Sequence, residues 1–263
     1  MERPDYTILD VPVILRFAFS PRPDDRPPPP GASDHTFTAE DGTVLAGRFF
    51  PCDKTSPSIL FFHGNGEVAP DYDDIAPLYS RIGVNLFVSE FRGYGRSEGK
   101  PTISNMVSDS VAVLDAFQAI LKDQGYSGAV YVLGRSVGTY CAVELAASCP
   151  DQIEGFIAES GSANITGVMH YLGLSKSPEV VRLDRQHWER VKSIGIPLLV
   201  IHGGEDTLVP IERARELYEG VGSTDKTFVT IQGAGHNDIM SVDTQRYFQA
   251  IQDFVYAKAR QGG

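Results

Sequence analysis

Short apolar runs of strand type alternate with helical patterns along most of the chain, and this alternation most constrains the fold. Helical spacing of apolar residues, as at Val107, Val111 and Leu114, separates several of the runs. Such alternation is typical of a mostly parallel sheet covered on both faces. We therefore predict an α/β fold with a mostly parallel, twisted sheet of about eight strands flanked by helices. The predicted strands are His35–Glu40, Val44–Phe50, Pro57–Phe62, Asn85–Val88, Ala129–Leu133, Ile153–Ala158, Pro197–Ile201 and Thr227–Ile231.

Two segments interrupt this alternation and set the expected domain organisation. Residues 1–31 read as an apolar N-terminal arm (residues 1–20) followed by a Pro-rich tether (Pro21–Gly31). The longest gap between strands, about residues 161–196, has apolar residues and a helix-start signal, and we expect it to form a short lid. The remaining chain, residues 32–263, is expected to be a single domain.

Two pentapeptides match Gly-x-Ser-x-Gly, the pattern that holds a nucleophilic serine on a sharp strand-to-helix turn. Gly134–Gly138 follows an apolar run and opens into a stretch of helix formers. Gly95–Gly99 also follows a strand-like run, but Pro101 comes close behind it and no helix can start there. The flanks therefore predict Ser136 as the nucleophile and Ser97 as a loop serine.

A serine nucleophile needs a base, and the base needs an acid that orients it. His236 follows the last apolar run in a glycine-rich loop, at the edge where parallel sheets gather their sites. The run before it ends ahead of Glu205 and Asp206. We predict His236 as the base and Asp206 as the acid, with Glu205 as the second choice. A plain loop histidine and a helix-capping aspartate are the structural alternatives.

Acyl transfer also needs hydrogen-bond donors at the developing oxyanion. The backbone N–H of Val137, directly after the serine, is one predicted donor. The other should come from the loop after the first long buried strand, His63–Gly66. Within that loop we predict the N–H of Asn65, with Gly64 as the second choice.

The expected lid carries apolar residues that a solvated loop would not need. They are Val168, Met169, Tyr171, Leu172 and Leu174. Met169, Tyr171 and Leu172 are the predicted substrate-binding residues, in a shallow cleft that favours small to medium acyl groups. The alternative is that these side chains only pack the lid onto the body, as any such segment requires.

Composition excludes several classes of partner. A formal net charge of −11 argues against nucleic acid and anionic membranes, which attract basic patches. No apolar run reaches the roughly 18 residues of a membrane span, and the first residues have no secretory-signal pattern. Three cysteines show neither a disulfide framework nor metal-ligand spacing, and unpaired cysteines fit the cytoplasm. We predict a cytoplasmic protein without metal or other cofactor; no pattern predicts its oligomeric state.

Together, five motifs resemble those of small α/β-hydrolase-fold serine hydrolases. They are His63–Gly66, Phe91–Thr102, Gly134–Gly138, Gly203–Pro210 and Gly235-His236. The chain is similar in particular to the branch that contains the α/β-hydrolase-domain depalmitoylases and related esterases. The order of serine, acid and histidine is that of the fold.

This resemblance implies a cofactor-free enzyme whose substrate is a small-molecule acyl ester or thioester. Hydrolysis would pass through an acyl-enzyme on Ser136. A serine peptidase or amidase of the same fold is the first alternative. A non-catalytic binding protein of this fold is the second alternative, although such proteins typically lose a member of the catalytic trio.

Overall fold

The computed structural model describes residues 3–167, 169 and 172–257. In this part of the chain, eight strands form one sheet in the order β1-β2-β4-β3-β5-β6-β7-β8. All neighbouring strands pair in parallel except β2, which runs antiparallel to β1 and β4. The strands are β1 (Ser33–Thr38), β2 (Val44–Phe50), β3 (Ser58–Phe62), β4 (Asn85–Glu90), β5 (Val130–Arg135), β6 (Gly155–Glu159), β7 (Leu198–Gly203) and β8 (Lys226–Ile231). The predicted mostly parallel sheet is confirmed.

Helices cover both faces of the sheet. They are α1 (Pro12–Ala18), α2 (Ala76–Arg81), α3 (Ile103–Asp123), α4 (Thr139–Ser148), α5 (Pro178–Ser193), α6 (Ile211–Gly220), α7 (Ile239–Val242) and α8 (Thr244–Val255). One cluster of buried apolar residues lies between the sheet and helices α3, α4 and α5. A second cluster lies between the opposite face of the sheet and helices α2 and α8. Among these described residues, no helix is both long enough and apolar enough to span a membrane.

The central strand β3 shows why an unbroken apolar run folds between two helical layers. Its side chains alternate between the two cores, because successive residues of a strand point to opposite faces. Leu60 and Phe62 lie in the core with α3 and α4, whereas Ile59 and Phe61 lie in the core with α2 and α8. All four are buried, so both faces of β3 are apolar.

The segment between β6 and β7 contains a helix that belongs to the body. Ser177 caps α5 by accepting a hydrogen bond from the backbone N–H of Val180, and Pro178 occupies the first turn. The helix α5 packs against α4 and against a 3₁₀ turn of the N-terminal arm. The region 161–196, where we expected a lid, thus consists in large part of a helix that packs on the body. That this region acts as a lid stays a prediction.

The Pro-rich tether lies on the body. Pro23 forms an isolated parallel bridge with Gly95, and the Gly95 N–H donates to the Arg22 carbonyl at 2.9 Å. The Arg22 side chain donates to the Gly66 carbonyl, also at 2.9 Å. The start of the tether is thus fixed to Gly95 and, through the Arg22 side chain, to the loop that holds Asn65.

Candidate active site

Ser136 lies at the turn between β5 and α4 in a backbone conformation that few residues other than glycine adopt. Its φ is +52°, a conformation that costs roughly 1–2 kcal/mol for an L-residue. A Cβ on Gly134 would lie 2.4 Å from the Gly138 carbonyl oxygen, and one on Gly138 would lie 2.2 Å from the Phe62 carbonyl oxygen. The tight turn therefore requires both glycines of the motif, and it presents Ser136 at the carboxyl end of the sheet.

Three predicted side chains form one hydrogen-bonded chain at this edge. His236 Nδ1 lies 2.8 Å from Asp206 Oδ2, and His236 Nε2 lies 3.0 Å from Ser136 Oγ. An ionised carboxylate only accepts hydrogen bonds, so Nδ1 carries the proton of the neutral ring. Nε2 is then an acceptor for the Ser136 hydroxyl, which is the arrangement that general-base activation of a serine needs.

Asp206 is a buried carboxylate held in its ionised form. Its Oδ1 accepts the backbone N–H groups of Leu208 and Val209 at 2.9 and 2.8 Å. Burial by itself would raise the pKa of Asp206, but the hydrogen bonds from His236 and Val209 outweigh burial and hold that pKa below its ordinary value. The charge that would stabilise a histidine cation is therefore present at neutral pH.

Glu205, the second-choice acid, and Ser97, the predicted loop serine, both lie outside this hydrogen-bonded chain. Glu205 is exposed, whereas the neighbouring Asp206 faces His236. Ser97 is buried, and its hydroxyl donates to the Glu90 carbonyl at 2.9 Å and accepts the Ala46 N–H at 2.8 Å. Ser97 thus holds β2 against the end of β4.

The loop after β3 places Asn65 beside the serine. Asn65 and Val137 both border the cavity that contains Ser136. The N–H of Gly64, the second-choice donor, is already engaged with Glu67 Oε2 at 2.8 Å. This engagement favours Asn65 over Gly64 as the oxyanion donor, an assignment that stays a prediction.

Arg135, which the sequence patterns did not single out, links the turn that holds Ser136 to the loop that holds His236. Its guanidinium donates to Glu67 at 2.6 Å and Glu159 at 2.9 Å, and also to the His236 carbonyl at 3.2 Å and Asn237 Oδ1 at 3.1 Å. A charged residue at the end of an otherwise apolar strand is the sequence signal that could have identified it.

The two carboxyl groups that bind Arg135 have pKa values shifted in opposite directions. Complete burial raises the pKa of Glu159 above its ordinary value despite the nearby guanidinium. Burial would also raise the pKa of Glu67, but the charge of Arg135 outweighs it and that pKa is lowered. Since Glu67 also accepts the Gly64 N–H, the hydrogen bonds of Arg135 and Glu67 connect the loop after β3 with the loop that holds His236.

A cavity of about 340 Å³ opens beside Ser136. This volume is near the lower end of the range of about 300–1,000 Å³ that is usual for small-molecule sites. Much of its lining is apolar. The body contributes Ile103, Val137, Tyr140, Ile165, Leu208 and Val209, and the N-terminal arm contributes Leu9, Ile14, Phe17 and Ala18.

The predicted substrate-binding residues lie elsewhere or outside the described chain. Met169 is buried in the core and Leu172 packs against that core, while Tyr171 lies outside the residues that the structure describes. The cavity lining includes residues from the start of the same segment, such as Ser162 and Ile165, and not Met169 or Leu172. The side chains of Met169 and Leu172 thus pack this segment onto the body. Their role in substrate binding stays a prediction.

Within the described residues, no group of three or more His, Cys, Asp or Glu side chains is arranged to hold a metal ion. The three cysteines are free: Cys141 and Cys149 are buried and Cys52 is exposed.

Sequence comparison assigns the family. The profile of the serine aminopeptidase S33 family matches residues 53–176 and 174–241. The chain belongs to this family of α/β hydrolases. The predicted resemblance is confirmed, and the protein is a hydrolase.

Individual relatives agree with this family. Human alpha/beta hydrolase domain-containing protein 17B is 28% identical over 221 residues, which cover 81% of this chain and 72% of the relative. Protein bem46 of Schizosaccharomyces pombe is 27% identical over 208 residues, covering 77% and 68%. Among solved structures, the Pyrococcus furiosus esterase Pf2001 superposes with a TM-score of 0.68 at 23% identity, covering 86% of this chain and 92% of the esterase. This superposition shows that the chain has the same fold as the esterase.

Proposed function

We propose that the protein is a serine hydrolase that cleaves carboxylic esters or thioesters of small to medium acyl groups. The observation that carries this proposal is the hydrogen-bonded chain from Asp206 through His236 to Ser136, which ends at an apolar cavity. A serine with a base and an oriented acid is suited to acyl transfer. An apolar cavity is suited to an acyl chain.

In the first half of the reaction, Ser136 Oγ attacks the acyl carbonyl while His236 Nε2 takes the hydroxyl proton. The carboxylate of Asp206 stabilises the resulting imidazolium. The N–H groups of Asn65 and Val137 stabilise the oxyanion of the tetrahedral intermediate, a contribution of about 3–4 kcal/mol per donor in comparable enzymes. His236 then protonates the departing alcohol or thiol as its bond to the acyl carbon breaks.

The second half repeats these roles with water. His236 takes a proton from water, the hydroxide oxygen bonds to the acyl carbon, and the ester bond to Ser136 breaks. His236 returns its proton to Ser136 Oγ, and the carboxylic acid leaves. The enzyme is restored without any cofactor.

A peptidase activity is the alternative that the family description suggests. An aminopeptidase has to bind the ammonium group of its substrate, and buried ammonium groups need a carboxylate or equivalent partner. Among the described residues that border the cavity, none is an aspartate or glutamate. The cavity therefore favours an uncharged acyl group over an α-amino acyl group.

The test is a panel of p-nitrophenyl esters from acetate to palmitate, matched acyl thioesters, and aminoacyl p-nitroanilides. We expect hydrolysis of the esters, with kcat/KM rising from acetate to about hexanoate and then falling, because each buried methylene contributes about 0.8 kcal/mol until the cavity is full. Ser136→Ala is the control that should abolish turnover. Faster cleavage of the anilides than of every ester would favour the peptidase. A monotonic rise to palmitate would contradict the small to medium acyl preference.

A further inference from the structure

The N-terminal arm, of which the structure describes residues 3–20, lies on the body along much of its length. Tyr6, Leu9, Ile14 and Phe19 are 4%, 1%, 3% and 6% exposed. All four belong to the core cluster of α3, α4 and α5. The arm is therefore packed as part of the domain.

Polar contacts fix the start of the arm to two body helices. The Tyr6 hydroxyl lies 3.0 Å from Nδ1 of the buried His187 on α5. Arg3 Nε donates to Glu144 on α4 at 2.8 Å. Glu144 is itself buried, so this ion pair lies partly out of water. These anchors place α1 at a defined position next to the cavity.

The helix α1 forms a wall of the cavity beside Ser136. Ile14 borders the cavity from a position that is almost completely buried, and Phe17 borders it while remaining 73% exposed. Leu208, which follows the acid Asp206, also borders the cavity and is 62% exposed. The inner wall is therefore Ile14, and two large apolar side chains flank the mouth.

The end of the arm contacts the oxyanion loop directly. The backbone N–H of Ser20 lies within hydrogen-bond distance of both Asn65 Oδ1, at 2.6 Å, and the Tyr94 hydroxyl, at 2.8 Å. Tyr94 donates to the same Asn65 oxygen at 2.8 Å. The arm is thus bonded, directly after α1, to the loop that supplies a proposed oxyanion donor.

The arm lies outside the part of the chain that matches the family profile, which begins at residue 53. The match includes Ser136, Asp206 and His236. The family match therefore accounts for the reacting groups but gives no information on Ile14 and Phe17, and acyl-chain preference can vary with the arm while the chemistry is kept.

We propose that the N-terminal arm is the acyl-binding wall of this enzyme and sets its chain-length preference. Ile14 limits the depth of the cavity, and Phe17 covers the chain at the mouth. The ligand is an acyl group of about four to eight carbons, since the cavity of about 340 Å³ lies near the lower end of the range usual for small-molecule sites. This proposal rests on the proposed esterase function of Ser136.

The experiment measures kcat/KM for p-nitrophenyl acetate, hexanoate and octanoate with the full chain and three single variants. Phe17→Ala should lower the hexanoate-to-acetate ratio about fourfold or more, because one methylene contact is worth about fourfold. Ile14→Ala should raise the octanoate-to-hexanoate ratio by a similar factor, because it deepens the cavity. Val13→Ala is the matched control: Val13 is 46% exposed on the same helix and is not part of the cavity lining.

Ratios of kcat/KM do not depend on the fraction of folded enzyme, so a destabilising effect of Ile14→Ala does not obscure the result. Unchanged ratios in both Phe17→Ala and Ile14→Ala would overturn the proposal while leaving the esterase function intact. Equal acceleration of all three esters by Phe17→Ala would also overturn it, since the arm would then be an obstruction. Absence of ester hydrolysis by the unaltered protein would instead refute the proposed function, and this proposal with it.

Discussion

Arg135 donates a hydrogen bond of 3.2 Å to the backbone carbonyl oxygen of His236. The residue that precedes the proposed nucleophile therefore holds the loop that carries the proposed base. The same guanidinium binds Glu67, which accepts the N–H of Gly64 in the loop after β3. One buried cation thus links the Ser136 turn to the His236 loop and to the loop after β3. We therefore expect a replacement of Arg135 to change the reaction rate more than substrate binding.

Replacement of Arg135 tests this positioning role. Lysine keeps the charge but lacks the planar fork that reaches several acceptors at once. We expect Arg135→Lys to lower kcat roughly 10- to 100-fold, since small misplacements of reacting groups have effects of this size, and to change KM less than about threefold. Steady-state kinetics with p-nitrophenyl butyrate, together with thermal unfolding, would measure both effects.

Arg48→Lys is the matched control for that variant. Arg48 is also buried between two carboxylates, Asp34 at 2.7 Å and Asp73 at 2.8 Å, and it lies on β2 away from the cavity at Ser136. We expect Arg48→Lys to lower the melting temperature and leave kcat per folded molecule near that of the unaltered protein. A similar loss of kcat in both variants would show that Arg135 acts only on stability.

The two serine motifs predict different responses to a fluorophosphonate probe, which labels activated serines. Ser136 faces His236, whereas the hydroxyl of Ser97 is engaged with the main chain of Glu90 and Ala46. Ser136→Ala protein should therefore not be labelled, and Ser97→Ala protein should be labelled like the unaltered enzyme when its folded fraction is equal. Labelling that survives in Ser136→Ala would contradict the assignment of the nucleophile.

Local patterns were sufficient to predict the sheet and to single out the three side chains that the structure brings into one hydrogen-bonded chain. Continuous apolar runs such as β3 indicate burial on both faces, and the flanks of Ser136 distinguish it from Ser97. Strand boundaries were less accurate: the first strand was predicted as His35–Glu40 and spans Ser33–Thr38. Strand ends depend on pairing with neighbours, which local sequence does not encode.

Contacts between distant parts of the chain could not be predicted in the same way. Ile14 and Phe17 read as an ordinary apolar helix face, and no local pattern shows that this face lies beside Ser136. The four acceptors of Arg135 come from two loops and one strand, so no motif spacing connects them. Tertiary packing alone brings these groups together.

The identity of the acid can be tested with two amide substitutions at adjacent positions. Asp206→Asn leaves an uncharged group that no longer fixes the tautomer of His236, and kcat should fall by about 10⁴-fold with the fold intact. Glu205→Gln should change kcat little, because Glu205 is exposed. If Glu205→Gln were the crippling variant, the acid would be misassigned by one residue. Circular dichroism of both variants would show whether folding is retained.

The buried carboxyl group of Glu90 predicts a pH dependence of stability. Glu90 is 3% exposed and accepts the backbone N–H groups of Ala69 and Arg96 at 3.1 and 2.8 Å. Burial raises its pKa to about 7, despite these hydrogen bonds. The folded protein therefore keeps the Glu90 proton over a pH range in which the unfolded chain has already released it.

It follows that the contribution of Glu90 to stability is fully present below the unfolded pKa of 4.5 and is lost as the pH rises through about 7. Glu90→Gln carries no charge at any pH, so its unfolding free energy relative to the unaltered protein should rise by roughly 2–3 kcal/mol between pH 5 and pH 8. Urea unfolding at the two pH values would measure this difference. Glu98→Gln, an exposed carboxylate nearby in the chain, is the control that should show little pH-dependent difference. Parallel pH profiles for Glu90→Gln and the unaltered protein would show that Glu90 is ionised in the folded state throughout this range.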